Sequence, residues 1–304
     1  MLSFRTDLAD ERTILLKEEI HKQDIDGITT STKQYSNNVN VCTVNVINEI
    51  GSKKIDKKIG IYKTINIENI DIISNDELEE ITEVFVQELS PIINNFQSLL
   101  IVGLGNEDTT ADSIGPKVIK NLEITRHIMK YHPELLPSNS KEISAIFPGV
   151  LGTTGIETQE ILKGIVNYTK PEALVVIDAL ASNNISRLLK TIQICNTGIV
   201  PGAGVGNKRD EISFETLGIP VIAIGVPTVV SAATIVADTL DILTQQFEEF
   251  SFIKNSSHSD KQKLIEVVLE PAHFNLAVMP KEIDTLVDNM KEIISSGINA
   301  LNRN

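Results

Sequence analysis

The sequence predicts an α/β fold: a central, mostly parallel sheet flanked by helices, with an N-terminal strand-rich addition. Three observations predict it. Residues 98–103 (SLLIVG), 173–177 (ALVVI) and 219–225 (IPVIAIG) are apolar runs of strand length, the last two rich in β-branched residues. They alternate with segments of helical spacing, which is the pattern of a parallel sheet covered on both faces. Residues 39–48 (VNVCTVNVIN) and 58–67 (KIGIYKTINI) instead alternate apolar with polar, as half-buried strands do.

Taken in order, residues 8–21 (LADERTILLKEEIH) have helical spacing with acids in the first turn. The alternating runs 39–48 and 58–67 then form an antiparallel pair. Asn75-Asp76-Glu77-Leu78 is a capping signature for a helix over 75–96, broken only at Ser90-Pro91. Strand 98–103 leads to a helix over 114–131, strand 143–147 (ISAIF) and a helix over 155–168. Strands 173–177 and 219–225 follow, then a helix over 231–247 with Ser231 as its N-cap. Residues 251–263 (SFIKNSSHSDKQK) read as a polar loop. From Pro280 to about Leu301 the chain reads as one amphipathic helix. The resulting division is a strand-rich part at about 24–75, a core at about 97–250 and a C-terminal helix at about 280–301.

Composition narrows the function. The 304 residues are 41% hydrophobic, enough for a packed core, and a net charge of −14 disfavours DNA or an anionic membrane as a direct partner. Two cysteines, Cys42 and Cys195, are too few for a disulfide framework and suit a reducing compartment. MLSFRTDLADER carries no apolar signal core, and no apolar run is long enough to span a membrane. The expectation is a soluble, intracellular protein.

Chemistry is sought where strands end, because ligands of open α/β sheets bind outside the carboxyl ends of strands. Strand 98–103 runs into Gly103-Leu104-Gly105-Asn106, a polar loop, Asp112 and then Gly115-Pro116. Position 108 is Asp, so the dinucleotide fingerprint is incomplete, and there is no phosphate-binding GxxxxGK[ST]. The glycines serve either a site or simply a tight turn. Asp178 is the first polar group after ALVVI; it is either an N-cap for LASNNISRLL or a catalytic carboxylate. Two carboxylates near one water cannot both ionise easily. One keeps a proton while the other takes one from the water that attacks a carbonyl. Asp112 and Asp178 could serve in that way.

Other residues offer less. His127 and His132 suit the surface, and His273 in EPAH lacks metal-ligand spacing. Cys195 reads as a buried thiol. There is no G-x-S-x-G elbow. PGAGVGNKR (201–209) either wraps a substrate or anion or is a loop with solvated charges.

An ordered series of segments resembles the germination protease family of spore-forming bacteria. The series is SFRTDLADE (3–11), VGLGNEDTTADSIGP (102–116), FPGVLGTTGIET (147–158), VVIDALAS (175–182), TIQICNTGIVPGAGVGNKR (191–209), GIPVIAIGVPTVVSAATI (218–235) and LEPAHFNLAVMPKEID (269–284). The resemblance implies an endopeptidase that initiates degradation of small acid-soluble spore proteins during germination. It implies a homotetrameric zymogen of the forespore and spore core, and a fold like the hydrogenase maturation endopeptidases, phosphorylase/hydrolase-like. It puts the catalytic aspartates at Asp112 and Asp178.

The family cuts within a motif like Thr-Glu-(Ile or Phe)-Ala-x-Glu, after the first acid. Thr6-Asp7-Leu8-Ala9-Asp10-Glu11 is similar, which implies autoprocessing between Asp7 and Leu8, with residues 1–7 as pro-segment and 8–304 as one peptidase domain. Bases should meet the acids around the cut, and Lys208 and Arg209 are the candidates, with solvated loop charges the other reading. The related hydrogenase maturation enzymes bind a metal through two carboxylates and a histidine. No histidine stands at the matching place, so the expectation is no cofactor. Two alternatives remain: a metal-dependent endopeptidase using the same aspartates as ligands, and a non-enzymatic binder of spore proteins.

Overall fold

The computed structural model describes residues 6–20, 24–70, 74–203, 209–247, 267, 269 and 276–303. In chain order the elements are α1 (Ala9–Ile20), β1 (Ile28–Gln34), β2 (Val39–Val46), α2 (Glu49–Ile55), β3 (Gly60–Ile67), α3 (Asn75–Ile93) and β4 (Ser98–Gly103). Then come α4 (Ile114–Ile119), α5 (Arg126–Tyr131), β5 (Glu142–Ile146), α6 (Leu151–Thr154), α7 (Thr158–Thr169), β6 (Ala173–Ser182) and β7 (Thr191–Cys195). The last are α8 (Phe214–Leu217), β8 (Val221–Ser231), α9 (Ala232–Gln246), β9 (Ala277–Val278) and α10 (Ile283–Arg303).

One sheet carries all the strands among the described residues, in the order β1-β2-β3-β7-β8-β6-β4-β5, with β9 on β8. β8, β6, β4 and β5 are parallel neighbours. β1, β2, β3 and β7 run as successive antiparallel pairs, and β7 joins β8 antiparallel. The α/β class therefore holds, with a parallel core. The N-terminal strands extend that core's sheet through β3 and β7.

The apolar runs are explained by burial on both faces. Leu99, Ile101, Val175 and Ile177 face one core, under α3, α4 and α10. Leu100, Val102, Leu174 and Val176 face the other, with Leu162 and Val166 of α7. A third cluster, with Ala9, Val44, Tyr62 and Cys195, sits beneath α1.

Several boundaries differ from expectation. The cap of α3 is Ser74, in a reciprocal capping box with Glu77, and Pro91 lies inside the helix. The segment expected as one helix over 114–131 is two, α4 and α5. The buried Thr125 between them donates its hydroxyl to the Lys141 carbonyl and accepts the Ile143 N–H. The N-cap alternative for Asp178 falls: β6 continues past it to Ser182, and only a short 3-10 turn at Ile185–Arg187 follows. Ser231 caps α9 as expected, accepting the Ala233 N–H. The loop expected over 251–263 lies outside the described residues. Among the described residues no helix is long and apolar enough to cross a membrane.

Candidate active site

The Gly-rich stretch after β4 is built around Asp112. A Cβ on Gly103 would lie 2.4 Å from the Gly115 backbone, and one on Gly115 would lie 2.2 Å from the Leu104 carbonyl. The strand end and the start of α4 thus touch backbone to backbone. Gly105 has φ +106, and its Cβ would lie 2.0 Å from the Asp112 carbonyl. The glycines fold the loop back tightly, so that the Asn106 N–H donates to Asp112 Oδ2 at 2.9 Å.

Asp178 sits within β6, 5% exposed, with Oδ1 accepting its neighbour's N–H (Ala179, 2.9 Å). β4 and β6 pair side by side, and the Leu104 N–H donates to the Ile177 carbonyl, which brings the Asp112 loop beside Asp178. Burial pushes the Asp178 carboxyl well above its ordinary range. The charges of Asp112 and Asp7 push it the same way. Burial also raises Asp112, opposed by its bond from Asn106.

The N-terminal segment lies against β6 beside Asp178. The Asp7 N–H donates to the Ala181 carbonyl at 3.0 Å, and the Ala181 N–H donates to Asp7 Oδ2 at 2.9 Å. Leu8 is fully buried. The Asp7 carbonyl accepts from Lys57 Nζ at 2.6 Å and Gln193 Nε2 at 3.3 Å. The Ala9 N–H donates to Gln193 Oε1 at 2.8 Å. The Thr6 hydroxyl accepts the Leu8 N–H and donates to Glu11. Ala9 begins a helix, as expected for this stretch, and the residue before Leu8 is held against β6.

The acids after that bond are buried and partnered. Arg187 Nη1 lies 2.5 Å from Asp10 Oδ2, and its Nε lies 3.6 Å from Glu11 Oε1. Glu11 also accepts from Ser182 Oγ at 2.6 Å and the Asn183 N–H at 2.8 Å. Burial raises the Glu11 carboxyl despite these donors.

Asp112 and Asp7 are thus brought beside Asp178 in the second half of β6, and Leu8 follows Asp7 in the chain. Arg209 is not placed against these acids; its Nη1 lies 4.0 Å from Glu157, and its N–H donates to the Pro201 carbonyl. Lys208 and His273 lie outside the described residues. Among the described residues, the base that meets Asp10 and Glu11 is Arg187. Cys195 is buried as expected, and His127 and His132 are exposed.

Sequence reasoning missed Lys57, Gln193 and Arg187. Gln193 left a signal, a long polar side chain within the apolar strand TIQIC. Lys57, in a run of similar lysines, left none. Among the described residues, no three His, Cys, Asp or Glu side chains converge as a metal site would need.

A family model described as germination protease matches residues 6–256 and 250–304. Proteins named germination protease are similar over nearly the whole chain. The one from Clostridium acetobutylicum is 44% identical over 312 residues, covering 98% of this chain and 95% of that protein. The one from Clostridium tetani is 43% identical over 309 residues, covering 98% and 95%. The one from Bacillus mycoides is 39% identical over 343 residues, covering 98% and 93%. Among solved structures, the NiFe hydrogenase maturation protease HycI of Thermococcus kodakarensis KOD1 aligns with 73% of this chain and 99% of its own. Its TM-score is 0.35 at 14% identity, too slight a likeness to bear on the site.

Proposed function

This chain belongs to the germination protease family and is a peptidase, and on that premise we propose that it is a zymogen that cuts itself between Asp7 and Leu8. The processed chain, Leu8 onward, then acts as a sequence-selective endopeptidase. It initiates the degradation of small acid-soluble spore proteins, as a homotetramer in the forespore and spore core.

The observation that carries this reading is the position of the Asp7–Leu8 bond. It is pinned to the end of β6 by two hydrogen bonds between Asp7 and Ala181, three residues beyond Asp178. Asp178 holds a proton because burial and two neighbouring carboxylates disfavour its ionised form. Asp112 is the member that ionises first. Its carboxylate takes a proton from water, and the water oxygen bonds to the Asp7 carbonyl carbon. Asp178 gives its proton to the Leu8 nitrogen as the carbon–nitrogen bond breaks. The products are a new carboxyl on Asp7 and a new amine on Leu8. Proton exchange with water resets the pair.

The same segment supplies a template for substrates in trans. Side chains and backbone near Arg187 would take the acids that follow the cut. The test is a chain built to start at Leu8, given a peptide containing Thr-Glu-Ile-Ala-Ser-Glu. Cleavage after the first Glu, unaffected by a chelator and lost in Asp112→Asn and Asp178→Asn, is the expected result. Cleavage abolished by the chelator would replace the carboxylate pair with a metal. Absence of any cut at that bond would overturn the assigned specificity.

A further inference from the structure

The Asp7 carbonyl is the meeting point of two donors that the water-attack scheme leaves without a task. β7, β8 and β6 are neighbours, and Gln193 and Asp178 both stand opposite Gly225. The three residues lie abreast, so the Gln193 and Asp178 side chains leave the same face of the sheet. Gln193 reaches the Asp7 carbonyl with Nε2 at 3.3 Å, and its other end is fixed by the Ala9 N–H on Oε1 at 2.8 Å.

Lys57 comes from the turn that ends α2. It follows Asp56, which ends α2 in the left-handed conformation at φ +51. The Lys57 N–H donates to the Ser52 carbonyl at 3.1 Å. Arg12 of α1 locks this corner by donating to the Ile55 carbonyl at 3.1 Å and to Asp56 Oδ2 at 3.0 Å. Lys57 Nζ then lies 2.6 Å from the Asp7 carbonyl oxygen, and burial holds this amine below its ordinary pKa, opposed by the nearby Asp7 carboxylate.

We propose that Lys57 and Gln193 form the oxyanion clamp of the self-cleavage reaction, holding the Asp7 carbonyl and taking up the charge on its oxygen as water adds. The inference rests on Asp7–Leu8 being the bond that is cut. When the water oxygen bonds to the carbonyl carbon, the π electrons move to the carbonyl oxygen. A fixed Lys57 N–H and a fixed Gln193 amide N–H, shielded from water, stabilise that charge more than they stabilise the neutral carbonyl. With the oxygen served in this way, the Asp178 proton is free for the departing nitrogen. Lys57 is then a catalytic residue, and Arg12 and Asp56 position it.

The test is the first-order rate of self-cleavage in the full chain, read by intact mass, for wild type, Lys57→Met, Gln193→Glu and Asp112→Asn. Hydrogen exchange across residues 6–20 reports in parallel whether the segment stays docked. Lys57→Met is expected to slow cleavage by about 10²–10³-fold, the usual loss for one oxyanion donor, with exchange unchanged. Gln193→Glu keeps the acceptor for Ala9 but turns a carboxylate toward the oxyanion. It is expected to slow cleavage at least as much, and carries the test if Lys57→Met does not fold. Wild-type rates in both variants overturn the clamp. Slow cleavage with a released segment also overturns it, because Lys57 would then only be an anchor. If Asp112→Asn cleaves at the wild-type rate, the carboxylate mechanism itself fails; if it is inert while both other variants are normal, only the clamp fails.

Discussion

At the scale of the residue, the proposed chemistry follows from two aspartates in unequal surroundings. Asp178 is the deeper, and the charges of Asp112 and Asp7 add to its burial. Asp112 is raised by burial alone and eased by the Asn106 N–H. The self-cleavage rate is therefore expected to be bell-shaped in pH. It falls on the acid side as Asp112 gains a proton, above the ordinary aspartate range, and on the alkaline side as Asp178 loses one. Rates by intact mass across pH would check this, and a rate that only rises with pH would contradict it. A second expectation concerns Arg187. Replacing it by Ala leaves Asp10 buried without its cation, a change that costs on the order of 3 kcal/mol where an ion pair is broken one-sidedly. Denaturant melts of the full chain would show the loss, and an unchanged midpoint would deny the pair any weight.

At the scale of the element, the glycines after β4 make the site by letting backbones touch. A Cβ on Gly115 would sit 2.2 Å from the Leu104 carbonyl and 2.6 Å from its nitrogen, both backbone atoms that cannot step aside. Gly115→Ala is expected to destabilise the fold by about 1–3 kcal/mol through overpacking and to displace the Asp112 loop, so that self-cleavage is lost as well. Melting and intact mass together would check it; normal cleavage would show that the loop tolerates the methyl group.

The same elements show what the sequence could and could not reveal. β4, β6 and β8 were legible because burial on both faces demands continuous apolar runs. β1, ITTSTKQ, was not, because six of its seven residues are exposed and its polar side chains carry no alternation. Asp178 was legible as a carboxylate after an apolar run. Its capping alternative fell because β6 runs on for four residues, a tertiary pairing with β8 that local sequence does not encode. Lys57 and Arg187 were illegible for a different reason. A charged residue becomes part of a site only through contacts 50 or more residues away in the chain, and one lysine in KKIDKKIG looks like the next.

At the scale of the whole molecule, the crevice stores carboxyls that prefer to be protonated. Asp178, Asp112 and Glu11 all have folded-state pKa values above their ordinary ones. The folded chain then binds more protons than the unfolded chain between those two values, so stability falls as pH rises through that window. The full-length, uncut chain is expected to melt higher at mildly acidic than at neutral pH. Asp178→Asn, which keeps the acceptor for the Ala179 N–H, should remove part of that dependence. Its advantage over wild type should grow as pH rises. A melting difference that stays flat with pH would mean that Asp178 ionises as easily folded as unfolded.

The central claim joins these scales: the front of the chain is a substrate already seated at its own carboxylate pair. Intact mass of the purified chain tests it most directly, before and after incubation at mildly acidic pH, for wild type, Asp112→Asn and Asp178→Asn. The account predicts that wild type loses everything before Leu8 and that neither variant does. Equal loss from all three would contradict it, and would take Asp112 and Asp178 out of the chemistry.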